Sequence, residues 1–237
     1  MADSKKVFKI ESNRVYNVDC IAGMKKLKGK SVDLILTDIP YTVVNRRSNG
    51  LRVLNKESAD IGNFDLKKFL RECTRVVKGS VYIFCSTEQV SLIREFLVMA
   101  GMSTRLIIWE KTNPSPMNGE YIWLSGIELC VYGKFKGAVF NEKCKNSVLR
   151  FPNGRSKFHP TEKPVNLFKY LVEVSSNAGD LVLDPCIGSG TTAVACLEKN
   201  RKFIGFELNK KYYKYCNSRI HEWKRKHSIR EFIKNKE

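Results

Sequence analysis

Pairs of metal-ligating residues are the first thing this 237-residue sequence lacks. No two of its eight cysteines (20, 73, 85, 130, 144, 186, 196 and 216) form a C-x-x-C pair, and most lie inside apolar runs. That pattern excludes a disulfide framework and reads as reduced core residues. Histidine is scarce, at three, with no H-x-x-x-H spacing and no Cys/His cluster, so no metal site is expected. No apolar run approaches the ~18 residues of a membrane span and no basic amphipathic helix stands out, which argues against a membrane partner. The opening Met1-Ala2-Asp3-Ser4-Lys5-Lys6 has no apolar stretch that would direct export, so the chain is expected in the cytoplasm. Acidic residues are short too: 24 Asp and Glu face 42 Lys and Arg, a formal charge of +18. The surplus exceeds what solubility requires and favours a polyanion. Nucleic acid is the natural partner, and a lysine-rich solvated surface is the plainer alternative.

What is present is a core. Hydrophobic residues at 43% and aromatics at 11% describe a folded chain. Its length fits one α/β domain, residues 1–237, and no linker divides it. The organising stretch is Leu181-Val182-Leu183-Asp184-Pro185-Cys186-Ile187-Gly188-Ser189-Gly190-Thr191-Thr192. An apolar run of strand length meets a turn with two glycines, and then apolar residues recur at helical spacing from Thr191 to Lys199. Glycine there permits φ > 0 and close approach of a ligand, and the helix N-terminus attracts an anionic group. A second strand, Lys202 to Phe206, ends in Glu207, a carboxylate placed to accept hydrogen bonds from ribose hydroxyls. The Gly-Lys-Ser/Thr ending of a P-loop is absent, as is the third glycine of a dinucleotide fingerprint.

Three motifs stand in order: Asp38-Ile39-Pro40-Tyr41, His159-Pro160-Thr161-Glu162-Lys163-Pro164 and the glycine turn. Together they resemble the S-adenosylmethionine-dependent DNA amino-methyltransferases, and their order is similar to that of the circularly permuted beta group, over about residues 15–220. The resemblance implies a Rossmann-like methyltransferase fold. Its sheet would be mostly parallel and seven-stranded, with one antiparallel edge strand and helices on both faces. It implies S-adenosyl-L-methionine as cofactor, DNA as partner and a possible homodimer. Asp38 Oδ and the Ile39 carbonyl would grip the hydrogens of an exocyclic amine so that its lone pair points at the methyl group. Pro40 would stiffen the turn, and Tyr41 would offer a ring face to an extruded base. The cofactor residues would be Asp19, Cys20, Asp38, His159, Lys163, Asp184, Cys186, Gly188, Ser189, Gly190, Thr191, Thr192, Glu207 and Leu208. Lys163 would be a partner for the cofactor carboxylate. Two readings stand for Asp19, the adenine pocket or a plain helix N-cap, and two for His159, a ligand role or a hydrogen bond at a helix start.

The sequence departs from the family's D-P-P-Y at Ile39, which keeps the carbonyl but does not fix φ, and from its usual Phe at Cys186. Asp at the first position leans toward adenine N6; cytosine N4 and RNA remain alternatives. So do a catalytically silent nucleic-acid-binding relative and, by fold, a NAD-dependent dehydrogenase.

Nucleic-acid contacts are expected from three places. The first is a basic loop at about residues 42–65 with Arg46, Arg47 and Arg52. The second, by the same resemblance, is the stretch holding Trp109, Lys111, Asn113 and Met117, although Trp109 reads equally as core. The third comprises a basic, irregular segment at about 134–158 and a basic tail at about 221–237. Neither the middle nor the end of the chain has room for a separate target-recognition domain. Strands are expected at 15–18, 31–37, 80–85, 103–109 and 127–132, and helices at 21–28, 66–77, 90–99, 165–175 and from 210.

Overall fold

The computed structural model describes residues 10–41, 64–116, 119–154 and 162–234, the side chains of 229–234 excepted. Arg46, Arg47, Arg52, Met117 and His159 lie outside these residues, as does nearly all of the 42–65 loop.

The chain runs β1 (Arg14–Tyr16), α1 (Cys20–Met24), β2 (Val32–Asp38), α2 (Leu66–Val76), β3 (Val77–Cys85), α3 (Val90–Met99), β4 (Ser103–Lys111) and β5 (Ile127–Lys134). It continues through β6 (Val148–Phe151), α4 (Val165–Ser175), β7 (Leu181–Asp184), α5 (Thr191–Glu198), β8 (Lys202–Phe206) and α6 (Lys210–Lys234). The strands form one sheet in the order β1-β8-β7-β2-β3-β5-β4-β6. Alternate residues of the central strands feed different cores, as strand geometry demands. Ile35, Val81, Ile83, Leu183 and Ile204 share a cluster with Met24, Phe69, Leu70 and Ile93 of α1, α2 and α3. Leu34, Leu36, Tyr82, Phe84, Val182 and Phe203 share another with Leu167, Phe168, Leu171, Ala195 and Cys216 of α4, α5 and α6. Helix α2 shows how local sequence sets this up. Asp65 caps it by accepting from the Lys68 N–H at 3.0 Å, and Phe69, Leu70, Cys73 and Val76 line one stripe at helical spacing.

The α/β class with helices on both faces is therefore the observed one, with two differences from the sequence expectation. Among the described residues the sheet has eight strands, and the reversed strand β5 lies inside it, antiparallel to both β3 and β4. The eighth strand, β6, falls within the segment expected to be irregular. It runs parallel to β4, pairing Ile108 with Val148 and Lys111 with Phe151. Its four residues alternate exposed Val148 and Arg150 with half-buried Leu149 and Phe151, a pattern too short to stand out among the neighbouring lysines. Six of the cysteines are buried and Cys186 is half-buried, so the core reading holds for these; Cys144 is exposed.

Trp109 sits within this core, 1% exposed, and its Nε1 donates to the Phe151 carbonyl at 2.9 Å. It joins β4 to β6 from within the core, as the second of its two expected readings had it. Replacing Trp109 by Ala is expected to lower the unfolding free energy by about 3–5 kcal/mol in urea titrations, where an exposed contact residue would change it by less than about 0.5.

Candidate active site

Strands β2 and β7 are parallel neighbours, Leu34 beside Val182 and Ile35 beside Leu183. From β2 the chain continues to β3 on one side, and from β7 to β8 on the other. The crevice at such a reversal, outside the carboxyl ends of the strands, is where open α/β sheets bind ligands. Asp38 closes β2 and Asp184 closes β7, so both expected motifs open into this crevice.

The turn after β2 is held from below and from the side. Ile39 is buried, and its N–H donates to the Phe84 carbonyl at 3.2 Å. The Pro40 carbonyl accepts from Gln89 Nε2 at 3.1 Å, while Gln89 Oε1 accepts from the Ser86 N–H at 3.0 Å. A buried glutamine thus supplies the rigidity that Ile39, lacking a proline ring, does not. Its sequence signal was the Ser86-Thr87-Glu88-Gln89 capping pattern ahead of α3.

Asp38 carries the charge at this turn. Its Oδ2 accepts from Lys163 Nζ at 2.5 Å, and the same ammonium lies 3.0 Å from Glu128 Oε2 at the start of β5. Glu128 Oε1 in turn pairs with Lys111 Nζ at 2.9 Å. The Lys163 side chain is only 6% exposed and that of Asp38 25%. Asp38 Oδ1 is buried and has no hydrogen-bond partner among the described residues. Burial raises the Asp38 pKa above the usual carboxylate range; Lys163 works against that rise and Glu128 adds to it. Burial opposes the Lys163 charge, but the two carboxylates outweigh it and hold its pKa above the ordinary lysine value. Glu128, which burial alone would raise, is held below its usual value by Lys163 and Lys111. The Tyr41 ring centroid lies 5.6 Å from Lys163 Nζ, and burial followed by the two carboxylates keeps its phenol protonated.

Two expectations change here. Lys163 grips Asp38 and Glu128 where the resemblance put a cofactor carboxylate. Lys111, expected among the nucleic-acid contacts, is paired with Glu128. Asn113 accepts from the Asn153 N–H at 2.5 Å and so ties the β4–β5 connection to the chain just past β6.

The second half of the crevice is the turn between β7 and α5. Asp184 is buried, with Oδ1 accepting from the Cys186 N–H at 3.1 Å and Oδ2 from Thr192 Oγ1. It organises the turn from within. Glu207, just past β8, accepts from the Gly188 N–H at 2.9 Å and the Asn209 N–H at 2.7 Å. Gly190 has φ +86°, and a Cβ there would stand 2.5 Å from Cys216 Sγ, so this position admits no side chain. Ser189 and Thr191 are buried, and Thr191 Oγ1 donates to the Lys163 carbonyl at 3.2 Å. Arg219 of α6 reaches the Ser189 carbonyl at 3.2 Å and Glu162 Oε1 at 3.0 Å, a clasp that the sequence reading missed because a lone arginine on a basic helix gives no signal. Asp19 caps α1 by accepting from the Ala22 N–H at 2.9 Å, so its N-cap reading is present in the structure. Cys20 is buried beside Cys186, a contact that with burial pushes the Cys186 thiol well above its ordinary pKa. Leu208, next to Glu207, is more than half exposed.

Known proteins resemble this chain in sequence and in fold. The description "DNA methylase", for N6 and N4 enzymes, matches residues 32–218. The chain belongs to this DNA methylase family. It is 32% identical to the DNA adenine methyltransferase YhdJ of Escherichia coli over 86% of this chain and 81% of that protein. It is 31% identical to the type II methyltransferase M.HpaI of Haemophilus parainfluenzae, over 85% and 72% of the two. Among solved structures, the M1.HpyAVI–SAM complex superposes with a TM-score of 0.69 at 30% identity, covering 87% of this chain and 98% of that one. The cytosine-N4-specific PvuII DNA methyltransferase shares the fold, with a TM-score of 0.68 at 15% identity, over 91% and 92%.

Burial pushes the Asp184 carboxyl up to about 7 from an ordinary 3.8, against the donors that lower it. Between those values the folded chain retains a proton that the unfolded chain has lost, so this group makes stability fall as pH rises from about 4 to about 7, and no further above that. Asp184→Asn is expected to remove this component, on the order of 4 kcal/mol, from the pH dependence of urea unfolding relative to the parent chain.

Proposed function

We propose that this protein transfers a methyl group from S-adenosyl-L-methionine to the N6 amine of adenine in DNA. The observation that carries the reading is Asp38 Oδ1, a buried acceptor with no hydrogen bond among the described residues, at the open end of β2. An aryl amine donates its lone pair to its ring and attacks poorly until acceptors draw on its hydrogens. Asp38 Oδ1 and the Ile39 carbonyl are such acceptors, on a turn pinned by Gln89. The Lys163 ammonium favours the ionised form of Asp38, which is the accepting form, and the carboxylate stabilises the positive charge that develops on the nitrogen. After attack, Asp38 is placed to receive the proton that the new ammonium must lose. Tyr41, neutral and beside Lys163, offers its ring to the base.

The residues of the other half suit the cofactor. Glu207, fixed by two backbone donors, has the chemistry to accept from ribose hydroxyls. The exposed Leu208 beside it supplies apolar surface for a base, and Gly188 and Gly190 bring bare backbone to the turn. Bound there, S-adenosylmethionine supplies an electrophilic methyl group on a sulfonium. The similarity to the M1.HpyAVI–SAM complex and to a named adenine methyltransferase supports both halves of this reading. No described helix is long and apolar enough to cross a membrane. We place the protein with DNA in the cytoplasm, as one methyltransferase domain that is free to form a homodimer and that reads its target through short segments.

Incubation with labelled S-adenosylmethionine and DNA, then digestion to nucleosides, is expected to place the label in N6-methyladenine and to lose it in Asp38→Ala. Label in N4-methylcytosine would change the base and keep the mechanism. No label on any DNA would sink the proposal.

The pH dependence of kcat offers a second check. Activity requires ionised Asp38, so the rate rises with pH through its pKa. Lys163→Met removes the charge that lowers this pKa and is expected to move the limb to higher pH; Glu128→Gln removes one that raises it and is expected to move the limb lower. Shifts in the same direction would contradict the assigned roles.

A further inference from the structure

Between β4 and β5 the chain holds a run of large apolar side chains in water. Tyr121, Ile122 and Trp123 are 86%, 66% and 96% exposed. The base of this connection is ordered. Lys111 N–H donates to the Gly126 carbonyl at 2.8 Å, Gly126 N–H to the Leu124 carbonyl at 2.8 Å, and Gly119 N–H to the Pro116 carbonyl at 3.0 Å. Leu124 folds back over Gly119, where a Cβ would stand 2.7 Å from Leu124 Cδ2. The three residues form an outward tip on a closed base.

That base belongs to the active site. Lys111 ends β4 and Glu128 lies one residue inside β5, so the connection leaves and rejoins the sheet at the same end as Asp38. The ion pairs Lys111–Glu128, Glu128–Lys163 and Lys163–Asp38 join it to the amine acceptor without a gap. Contiguous exposed apolar surface beside a functional cleft marks a contact surface. The occupant follows from the chemistry of the cleft. An acceptor recessed at the end of a strand is out of reach of an amine inside a stacked duplex, so the base must leave the stack, which opens a gap bounded by base faces. Aromatic and branched apolar side chains fill such gaps as wedges, and a chain of charge +18 suits the phosphates on either side.

We infer that the Tyr121–Trp123 tip enters duplex DNA at the position the target base vacates, with Trp123 stacking on the bases left behind. The inference rests on the DNA-methylation reading and deepens it: the substrate is a duplex, and the tip holds it open.

The test compares two duplexes of one methylated sequence, the site first being mapped by label incorporation across a panel of duplexes of defined sequence. In one the target adenine is paired; in the other it faces a mismatched base and leaves the stack at lower cost. Trp123→Ala is expected to lower kcat/KM on the paired duplex by about tenfold or more and on the mismatched duplex by clearly less, with Trp123→Phe keeping most of the activity. Thermal unfolding and cofactor affinity should not change, because the side chain is exposed. Equal losses on both duplexes, or none on either, would overturn the inference. So would a variant that changes oligomeric state in sedimentation, which would make the tip a contact between copies. Absence of label with the parent chain on any DNA would instead be a failure of the DNA-methylation reading itself.

Discussion

One buried ammonium group holds the catalytic end of this sheet together. Lys163 gives up nearly all contact with water, and the loss is made good because Asp38 and Glu128 approach from different strands. Charges taken out of water cost several kcal/mol each unless paired with good geometry, so none of the three is tolerable alone. The constraint reaches outward. Glu128 must begin a strand beside the end of β3, Asp38 must end β2, and the segment carrying Lys163 must cross between them. The reversal of β5 follows from this: a parallel strand in its place would present its C-terminal end here, and Glu128 would lie at the far edge of the sheet.

The short stretch at 162–164 also spans the two halves of the crevice. Lys163 holds Asp38 with its side chain and receives Thr191 at its carbonyl, while Glu162 meets Arg219, which itself holds the glycine turn. A shift of this segment is felt at the amine acceptor and at the cofactor turn together. The two motifs, distant in sequence, therefore behave as parts of one site.

Much of this was legible in the sequence. Apolar runs gave the central strands, 3.6-residue periodicity gave α2, α3 and α4 nearly to the residue, and glycine spacing with a following acidic residue marked the turn between β7 and α5. What escaped was whatever depends on partners brought in from afar. Lys163 was assigned to an anion of the cofactor by resemblance, and a lysine in sequence shows its charge and not its neighbours. Lys111 was taken as a nucleic-acid contact, with its partner Glu128 equally hidden. Trp109 divides evenly between core and pocket until the strand that covers it is seen, and that strand, β6, is four residues long and half exposed. Gln89 went unread: its capping pattern is local, but its other hydrogen bond, to Pro40, crosses the fold.

The pairing of β2 with β7 bears on how the chain is made. These central strands are adjacent in space, yet β7 leaves the ribosome only after β3 to β6 and α2 to α4 have been synthesised. At roughly 5–20 residues per second, one side of β2 stays open on the order of ten seconds. During that interval an apolar strand with unpaired backbone groups is exposed, a template for wrong partners as much as for the right one. The edge strand β1 waits longer still, since β8, its neighbour among the described residues, emerges after β7. The adjacency that creates the binding crevice is thus also the step that makes this a late-closing nascent chain.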